Sequence, residues 1–123
     1  MELLTSTAQA NKLIAAGEAE GFKPILTNNV PLTEGTHIVT ATGVHIRRMI
    51  VAKDGQKYQL IESQFQTEKG EKFYAAINDT SLIDELQSGM KVTVTAEMGK
   101  PNAKGNRYMQ ASYKAIAVPA VAQ

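Results

Sequence analysis

The feature that most restricts the fold of this chain is a strand-like run with a glycine at its centre. The run THIVTATGVHIRRMIVA, Thr36 to Ala52, is rich in β-branched residues and carries Gly43 in its middle. Apolar positions alternate on one parity before the glycine and on the other parity after it: Val39 and Ala41, then Val44, Ile46 and Ile50. A parity change at a glycine is typical of a β-bulge or a sharp bend. The sequence therefore predicts one long strand that bends at Gly43.

Four further strand-like segments follow, and turn residues separate them. They are Lys57–Gln66, Lys72–Asn78, Met90–Met98 and a last segment from Asn106 to about Ala117. Asp54-Gly55 and Lys69-Gly70 are typical of tight hairpin turns. The cleanest alternation predicts that three residues of the fourth strand face inward: Val92, Val94 and Ala96.

Two helices are predicted. Thr5–Glu20 has good helix formers after Ser and Thr caps. The second, DTSLIDELQSG at 79–89, begins with capping residues and ends at Gly89. Its apolar stripe consists of Leu82, Ile83 and Leu86.

The order of these elements matches the five-stranded Greek-key barrel called the OB-fold, in which the long first strand bends to serve both sheets. We therefore predict a mainly β protein: a five-stranded OB-type Greek-key barrel with a helix between strands 3 and 4 and an N-terminal helical extension. Residues 1–34 would form the extension and a connector, 35–118 the barrel, and 119–123 a flexible tail. A generic α+β fold or a β-sandwich is the alternative.

Composition narrows the function. The chain has no cysteine, which excludes disulfides, thiolate zinc sites and cysteine nucleophiles. No nucleophile–base–acid arrangement is visible, and the glycine-containing stretch GKPNAKG lacks the Gly-Lys-Ser/Thr of a phosphate-binding loop. We expect no enzyme, no cofactor, no metal ion and no small-molecule substrate. Neither a signal peptide nor a run of about 18 apolar residues is present, so we expect a cytoplasmic protein without a membrane partner.

The net charge of +1 points to no partner, but the distribution of charge does. The stretch from Met98 to Lys114 holds four basic residues and no acidic one. An OB barrel binds polymers on the face of its second and third strands, between the loops that follow strands 1 and 4. Single-stranded nucleic acid needs cations along its phosphates and exposed rings under its bases. The pattern therefore favours nucleic-acid binding at this face.

The alternation of residues along each strand predicts which aromatic rings face outward. In the last strand Tyr113 shares its parity with apolar residues, which predicts a core position and leaves Tyr108 outside. Tyr74 is predicted to face outward with Lys72. In the second strand Tyr58 and Phe65 lie on opposite parities, and a bulge near Leu60 would decide between them, so both remain candidates. The predicted nucleic-acid contacts are Arg47, Lys53, Lys57, Tyr58, Phe65, Lys72, Tyr74, Lys100, Lys104, Asn106, Arg107, Tyr108 and Lys114.

The sequence also predicts where two residues close to Arg47 lie. Arg48 is grouped with Arg47 near the same face, and His45 is predicted to be a polar contributor to the surface.

The segment AKGNRYMQASYKAI resembles the last hairpin of small single-stranded-DNA-binding proteins encoded by phages or mobile elements. In that family a Lys-Gly-Asn turn leads into a final strand that contains an aromatic residue. The resemblance implies sequence-independent coating of single-stranded DNA during replication or recombination, in a bacterial host cytoplasm if the chain is phage-encoded. It also implies that Lys104, Arg107 and Tyr108 contact DNA. The chain end AIAVPAVAQ departs from the acidic tail with an aromatic tip that recruits partners in bacterial proteins of this type.

The functional expectation is therefore sequence-independent binding of single-stranded DNA by phosphate neutralisation and tyrosine stacking. The N-terminal helix would serve either self-association or the covering of a sheet edge. The alternative is an OB-fold protein-interaction or accessory module of a phage or plasmid complex. RNA binding ranks third.

Overall fold

The computed structural model describes residues 2–25, 27–99, 105 and 109–115, with the side chains of the last two residues excepted. The elements in chain order are β1 (Glu2–Leu4), α1 (Thr7–Ala19), β2 (Lys23–Pro24), β3 (Gly35–Val51), β4 (Lys57–Gln66), β5 (Lys72–Ala76), α2 (Leu82–Glu85), β6 (Lys91–Met98) and β7 (Met109–Ala115). The protein is mainly β, and within the described ranges all seven strands belong to one curled sheet.

The long strand β3 holds the sheet together because it pairs with three others. Its first part, 35–40, is antiparallel to β6, whereas 40–51 is antiparallel to β4. The short strand β1 pairs with residues 45–47 of β3, beyond the end of β6. The sheet continues to β5 on the far side of β4 and to β7 on the far side of β6.

The predicted bend at Gly43 is confirmed, but its effect on facing differs from the prediction. Gly43 has φ +81°, and a Cβ there would lie 3.0 Å from the Cβ of Ser88. The pairing passes from Ala41↔Phe65 to His45↔Ser63. Between these two pairs β3 advances by four residues and β4 by two, so β3 contains two extra residues. An even insertion keeps the parity, so the residues facing the interior remain odd-numbered on both sides of the bend.

The prediction that His45 lies on the surface is therefore wrong. His45 and Arg47 point into the protein on the same side as Ala41, and both are buried. The apolar set Val44, Ile46 and Ile50 lies on the opposite face of β3.

Two apolar clusters fill the interior of the curled sheet. The larger cluster joins Phe65 to the predicted inward residues of β6, which are confirmed as buried: Val92, Val94 and Ala96. The smaller cluster joins Leu4 and Ala10 at the N-terminus to Ile61, Ile77 and Ile83. The predicted stripe of the second helix is confirmed as packing inward, although α2 is a single turn.

The connector between β2 and β3, residues 25–34, bridges the two ends of the sheet. Asn29 accepts a hydrogen bond at its carbonyl from Ala76 N (2.9 Å), at the end of β5. On the other side Val30 N donates to Met109 O (3.1 Å), and Asn28 O accepts from Ala111 N (2.9 Å), both in β7. The connector thus stands between β5 and β7 as an extra backbone segment and links the sheet's two ends.

Most of the predicted elements are confirmed, and the strand count is corrected. The N-terminal helix, the Gly43 strand and the strand Lys57–Gln66 appear at or close to their predicted bounds. The described chain has seven strands where five were predicted, because β1 and β2 also join the sheet. The bulge near Leu60 that the sequence left open is not present in β4, whose alternation runs unbroken along its length.

The helix α1 approaches the sheet closely at Gly17. A Cβ at this buried position would lie 2.6 Å from Gln59 Oε1 and 3.0 Å from Arg47 Nη1. Gln59 is itself held by hydrogen bonds from its Nε2 to the carbonyls of Ile14 (2.9 Å) and Phe22 (3.1 Å). The side chain below Gly17 therefore has little freedom to move aside.

We predict that Gly17→Ala lowers the free energy of unfolding by about 1–3 kcal/mol, the usual cost of overpacking. Helix propensity alone would raise it by about 1 kcal/mol. Equilibrium urea unfolding measures the difference. In a double-mutant cycle, Gln59→Ala should cost less in the Gly17→Ala protein than in the native one, because it removes the clashing atoms. A Gly17→Ala protein more stable than the native chain would contradict this account.

Candidate nucleic-acid interface

The outward side chains of β4 and β5, together with Arg48 of β3, form one continuous surface, which we call the β4–β5 face. Strict alternation places every second residue of β4 on it, and the pairing of Gln64 with Tyr74 puts the β5 ring on the same side. Its residues are Arg48, Tyr58, Leu60, Glu62, Gln64, Lys72 and Tyr74. The predicted outward positions of Tyr74 and Lys72 are confirmed, and Tyr58 takes the outward position in β4.

Arg48 connects the charged and aromatic parts of this face. Its Nε donates a hydrogen bond to Glu62 Oε1, and its guanidinium carbon lies 5.6 Å from the centroid of the Tyr74 ring. The Glu62 side chain is 15% exposed and that of Arg48 is 40% exposed. A cation over an aromatic face is attracted by the ring quadrupole, and the carboxylate holds the cation in place. The ring of Tyr74 is thus flanked by a positioned positive charge.

Tyr58 lies toward the other end of the face, where its hydroxyl donates to the Gln56 side chain. Tyr58 and the Tyr74 partner Gln64 are six residues apart along β4, a separation of roughly 20 Å at strand spacing. Leu60 and Glu62 lie between them. The two partly buried rings therefore mark a track long enough for several stacked bases.

A cleft of about 390 Å³ opens on this face between the two rings, and we call it the Leu60 cleft. Leu60, Glu62 and Tyr74 line it from the sheet, and the connector lines it with residues that include Ile25, Val30 and Pro31. The cleft exists because β2 pairs with β4 only at Tyr58 and Gln59, whereas β5 begins its pairing at Glu62. The interval at Leu60 is left without a neighbouring strand.

The remaining predicted cations in the described part of the chain are spread around the face. Lys72 lies on it and is exposed. Lys53 is exposed in the turn between β3 and β4. Lys57 has the opposite parity to Tyr58, and its Nζ lies 5.3 Å from the centroid of the Phe22 ring. Lys57 is therefore at the border of the face.

Arg47 does not belong to the face, contrary to prediction. Its side chain is buried and donates to Leu13 O (2.7 Å), to Gln59 Oε1 (3.0 Å) and to Glu2 Oε1 through Nε (2.8 Å). The ion pair with Glu2 joins β1 to the sheet. Because its donors are used inside the protein, Arg47 is a structural residue.

Phe65 is also interior, contrary to prediction. Its ring is fully buried and stacks on Tyr113 with centroids 5.4 Å apart and planes 9° apart. The predicted core position of Tyr113 is confirmed, and its hydroxyl donates to Ala76 O (3.2 Å). Burial raises the pKa of Tyr113 well above its ordinary value.

Several predicted contacts lie outside the described residues: Lys100, Lys104, Asn106, Arg107 and Tyr108. Lys114 lies in β7, and its side chain is likewise outside the described part. Two other residues of β7, Met109 and Ala111, pack inward as predicted.

Sequence reasoning missed the contribution of Glu62 and of the connector. Glu62 could have been found, since it shares the parity of Tyr58 and of Leu60. The walls of the Leu60 cleft could not, because they depend on hydrogen bonds between the connector and strands far along the chain.

Comparison with protein-family models, with curated proteins and with solved structures finds no match for this chain. None of the helices in the described ranges has the length and apolar character needed to cross a lipid bilayer. Across those same ranges, no three His, Asp or Glu side chains come together as they would around a metal ion.

The buried His45 makes the fold sensitive to pH. Its Nδ1 lies 2.7 Å from Ser63 Oγ and its Nε2 lies 3.1 Å from Leu86 O, so it ties α2 to the sheet. Burial lowers the pKa of His45, although the Leu86 carbonyl and the charge of Asp84 oppose this. A folded-state pKa below the unfolded value of about 6.5 means that the unfolded chain binds the proton first.

We predict that this contribution to stability is complete above pH 7 and is lost as the pH falls below about 6.5 toward the folded-state pKa. Urea unfolding of the native chain and of His45→Gln at pH 7.5 and pH 5.5 measures it. His45→Gln should lose less stability than the native chain on acidification, since an amide can keep both hydrogen bonds without titrating. An unchanged pH dependence in His45→Gln would contradict the assignment.

Proposed function

We propose that this chain is a non-enzymatic protein that binds single-stranded DNA on its β4–β5 face, without strong sequence preference. The observation that carries the proposal is the Tyr74 ring on an outward face, with the Arg48 guanidinium over it and Lys72 on the same strand. Bases stack on such rings while cations meet the phosphates. Tyr58, at the other end of the face, extends the same chemistry along β4.

The arrangement of strands supports assigning the sheet to the OB class as part of this proposal. The path β5-β4-β3-β6-β7, the bent central strand and the helix between β5 and β6 are what an OB-type barrel would have. On that assignment β4 and β5 are the two strands whose outer face binds polymers. The connector would complete the closure between β5 and β7.

The charges of the face indicate whether phosphate contacts or base stacking supplies most of the binding free energy. Glu62 neutralises part of the Arg48 charge, and the net charge of the chain is only +1. Phosphate contacts alone would therefore give weak binding. A stacked base is worth about 1–3 kcal/mol. Stacking on Tyr58, Tyr74 and Tyr108 would then contribute most of the free energy, and the role in replication or recombination that the resemblance implies would follow from it.

A protein-interaction or accessory module is the second candidate, favoured by a different observation. Large apolar side chains are exposed on the described strands: Leu3, Ile38, Met49, Val51 and Met98. A face that binds a partner protein would use such residues and would show no affinity for an oligonucleotide.

The decisive variant is Tyr74→Leu, which removes the ring and keeps an apolar side chain of similar bulk. We predict that it weakens binding of a fluorescently labelled oligo-dT by about tenfold, the loss of one stacked base. Tyr74→Phe is the matched control and should bind like the native chain, because the ring remains. Fluorescence anisotropy measures both, and thermal melting verifies that both are folded. No binding of oligo-dT by the native chain at low salt would favour the interaction module.

A second prediction separates charge from stacking. Each of Lys72→Ala and Lys104→Ala should reduce the slope of log affinity against log salt by about 0.7. Lys12→Ala removes the same charge from α1, on the other side of β4, and should leave the slope unchanged. Tyr108→Ala should weaken binding at low and at high salt alike, since stacking is not screened. Equal effects of Lys12→Ala and Lys72→Ala would contradict the placement of DNA on this face, and tighter binding of an RNA oligomer would favour the RNA-binding alternative.

A further inference from the structure

The Leu60 cleft has a shape and chemistry that the sequence-independent stacking of bases does not use. It lies between Tyr58 and Tyr74, on the path that a strand would follow along the β4–β5 face. Its volume of about 390 Å³ falls in the range of about 300–1,000 Å³ typical of small-ligand sites. The cleft is therefore large enough for one planar group of a bound polymer to enter it.

Backbone hydrogen bonds fix the walls of the cleft. Ile25 N donates to Gln59 O (2.8 Å), which holds the start of the connector against β4. The bonds of Asn29 to Ala76 and of Val30 to Met109 hold its middle against β5 and β7. The Asn29 side chain accepts from Thr27 Oγ1 (2.9 Å) and from Gln110 Nε2. A cleft with walls tied on both sides is formed before any ligand arrives.

The lining combines apolar surface with one charged acceptor. Ile25, Leu60 and Val30 offer apolar contact, and Tyr74 offers a ring. The carboxylate of Glu62 stands among them with its side chain only 15% exposed. Arg48 uses one hydrogen-bond position of Oε1. An ionised carboxylate accepts at about four positions on its two oxygens, so Glu62 retains capacity for a ligand.

The ligand that fits is a flat neutral group with hydrogen-bond donors on one edge. A Lys or Arg side chain of a partner protein would also pair with Glu62. However, it would bring a second cation beside the guanidinium of Arg48, and like charges in close contact repel. A nucleobase brings neutral N–H donors, and the phosphates of its strand would find Arg48 and Lys72 on the same face. The charges therefore favour a base over a basic peptide.

We propose that the Leu60 cleft takes one base of the bound strand and that Glu62 makes it prefer guanine. The inference rests on the proposed function and adds a base-selective position to it. Single-stranded nucleic acids are read by hydrogen bonds to the Watson–Crick edges of unstacked bases. Guanine carries two adjacent donors on that edge, N1–H and the N2 amino group, which match a carboxylate. Adenine and cytosine place a ring-nitrogen acceptor beside their single amino group, and thymine flanks its single N–H with two carbonyl oxygens.

The test compares oligo-dT with oligomers of the same length that carry a single central dG, dA or deoxyinosine. Deoxyinosine lacks only the N2 amino group of guanine. The native chain should bind the dG oligomer about tenfold more tightly than oligo-dT, in the range expected for a bidentate contact to a base. The dA oligomer should gain nothing, and deoxyinosine should lose most of the gain.

Glu62→Gln is the variant that isolates the carboxylate. It should bring the dG and dT oligomers to equal affinity. Because Glu62 also positions Arg48, the measured quantity is the ratio of the two affinities within the variant, and thermal melting verifies that the variant is folded. A variant that had merely lost its fold would weaken both. Glu85→Gln, on the exposed side of α2, removes the same charge away from the face and should keep the preference for dG.

The possible outcomes separate the two proposals. Equal affinity of the native chain for the dG and dT oligomers overturns the guanine preference and leaves single-stranded DNA binding standing. A dG preference that survives in Glu62→Gln overturns the role of Glu62. Absence of binding to every oligomer at low salt overturns the proposed function and this inference with it.

Discussion

The whole sheet depends on the bend of β3 at Gly43. On one side of the bend β3 pairs with β6, and on the other it pairs with β4 and β1. A straight strand could not direct its two halves toward two parts of a curled sheet. Gly43 permits the turn because it adopts φ +81° and because its missing Cβ leaves room for Ser88. The even number of extra residues then keeps the same side of β3 facing inward along its full length.

That constraint explains why polar side chains occupy the interior beyond the bend. His45, Arg47 and Gln59 face inward there, where α1 and α2 cover the sheet. Each donates to a helix-region carbonyl or to a neighbouring side chain, and no buried side-chain nitrogen or oxygen in the described ranges lacks a partner. A buried guanidinium is tolerated only when its donors are used, because desolvating an unpaired charge costs several kcal/mol, about the worth of a whole core side chain. Gly17 belongs to the same arrangement. Because it has no side chain, α1 comes close enough to the sheet for Arg47 and Gln59 to donate to the carbonyls of Leu13 and Ile14.

Regular segments could be predicted from the sequence, and long-range contacts could not. Strand Lys57–Gln66 and the inward set of β6 follow from alternation, and the bend follows from Gly43. The inward orientation of His45 and Arg47 was not predicted. A glycine indicates a bulge, but it does not show whether the bulge contains one extra residue or two. Strands β1 and β2 are too short to show a period, and the connector follows no repeating pattern. For the candidate site, parity predicted the outward positions of Tyr74 and Lys72 but left Tyr58 and Phe65 as alternatives. Arg47 was predicted on the face that Arg48 occupies, and the cleft was not predicted.

The adjacent residues Arg47 and Arg48 lie on opposite faces of β3 and have different roles. The inward arginine is paired with Glu2 and with backbone carbonyls, so it stabilises the fold and offers nothing to a ligand. The outward arginine is paired with Glu62 alone among the described ion pairs and lies against Tyr74. Its pairing lowers the positive charge of the face, which weakens long-range attraction of any polyanion, yet it fixes the guanidinium beside the ring. A face built in this way would depend on contact geometry more than on net charge, as expected where stacking and one carboxylate contribute more than phosphate neutralisation.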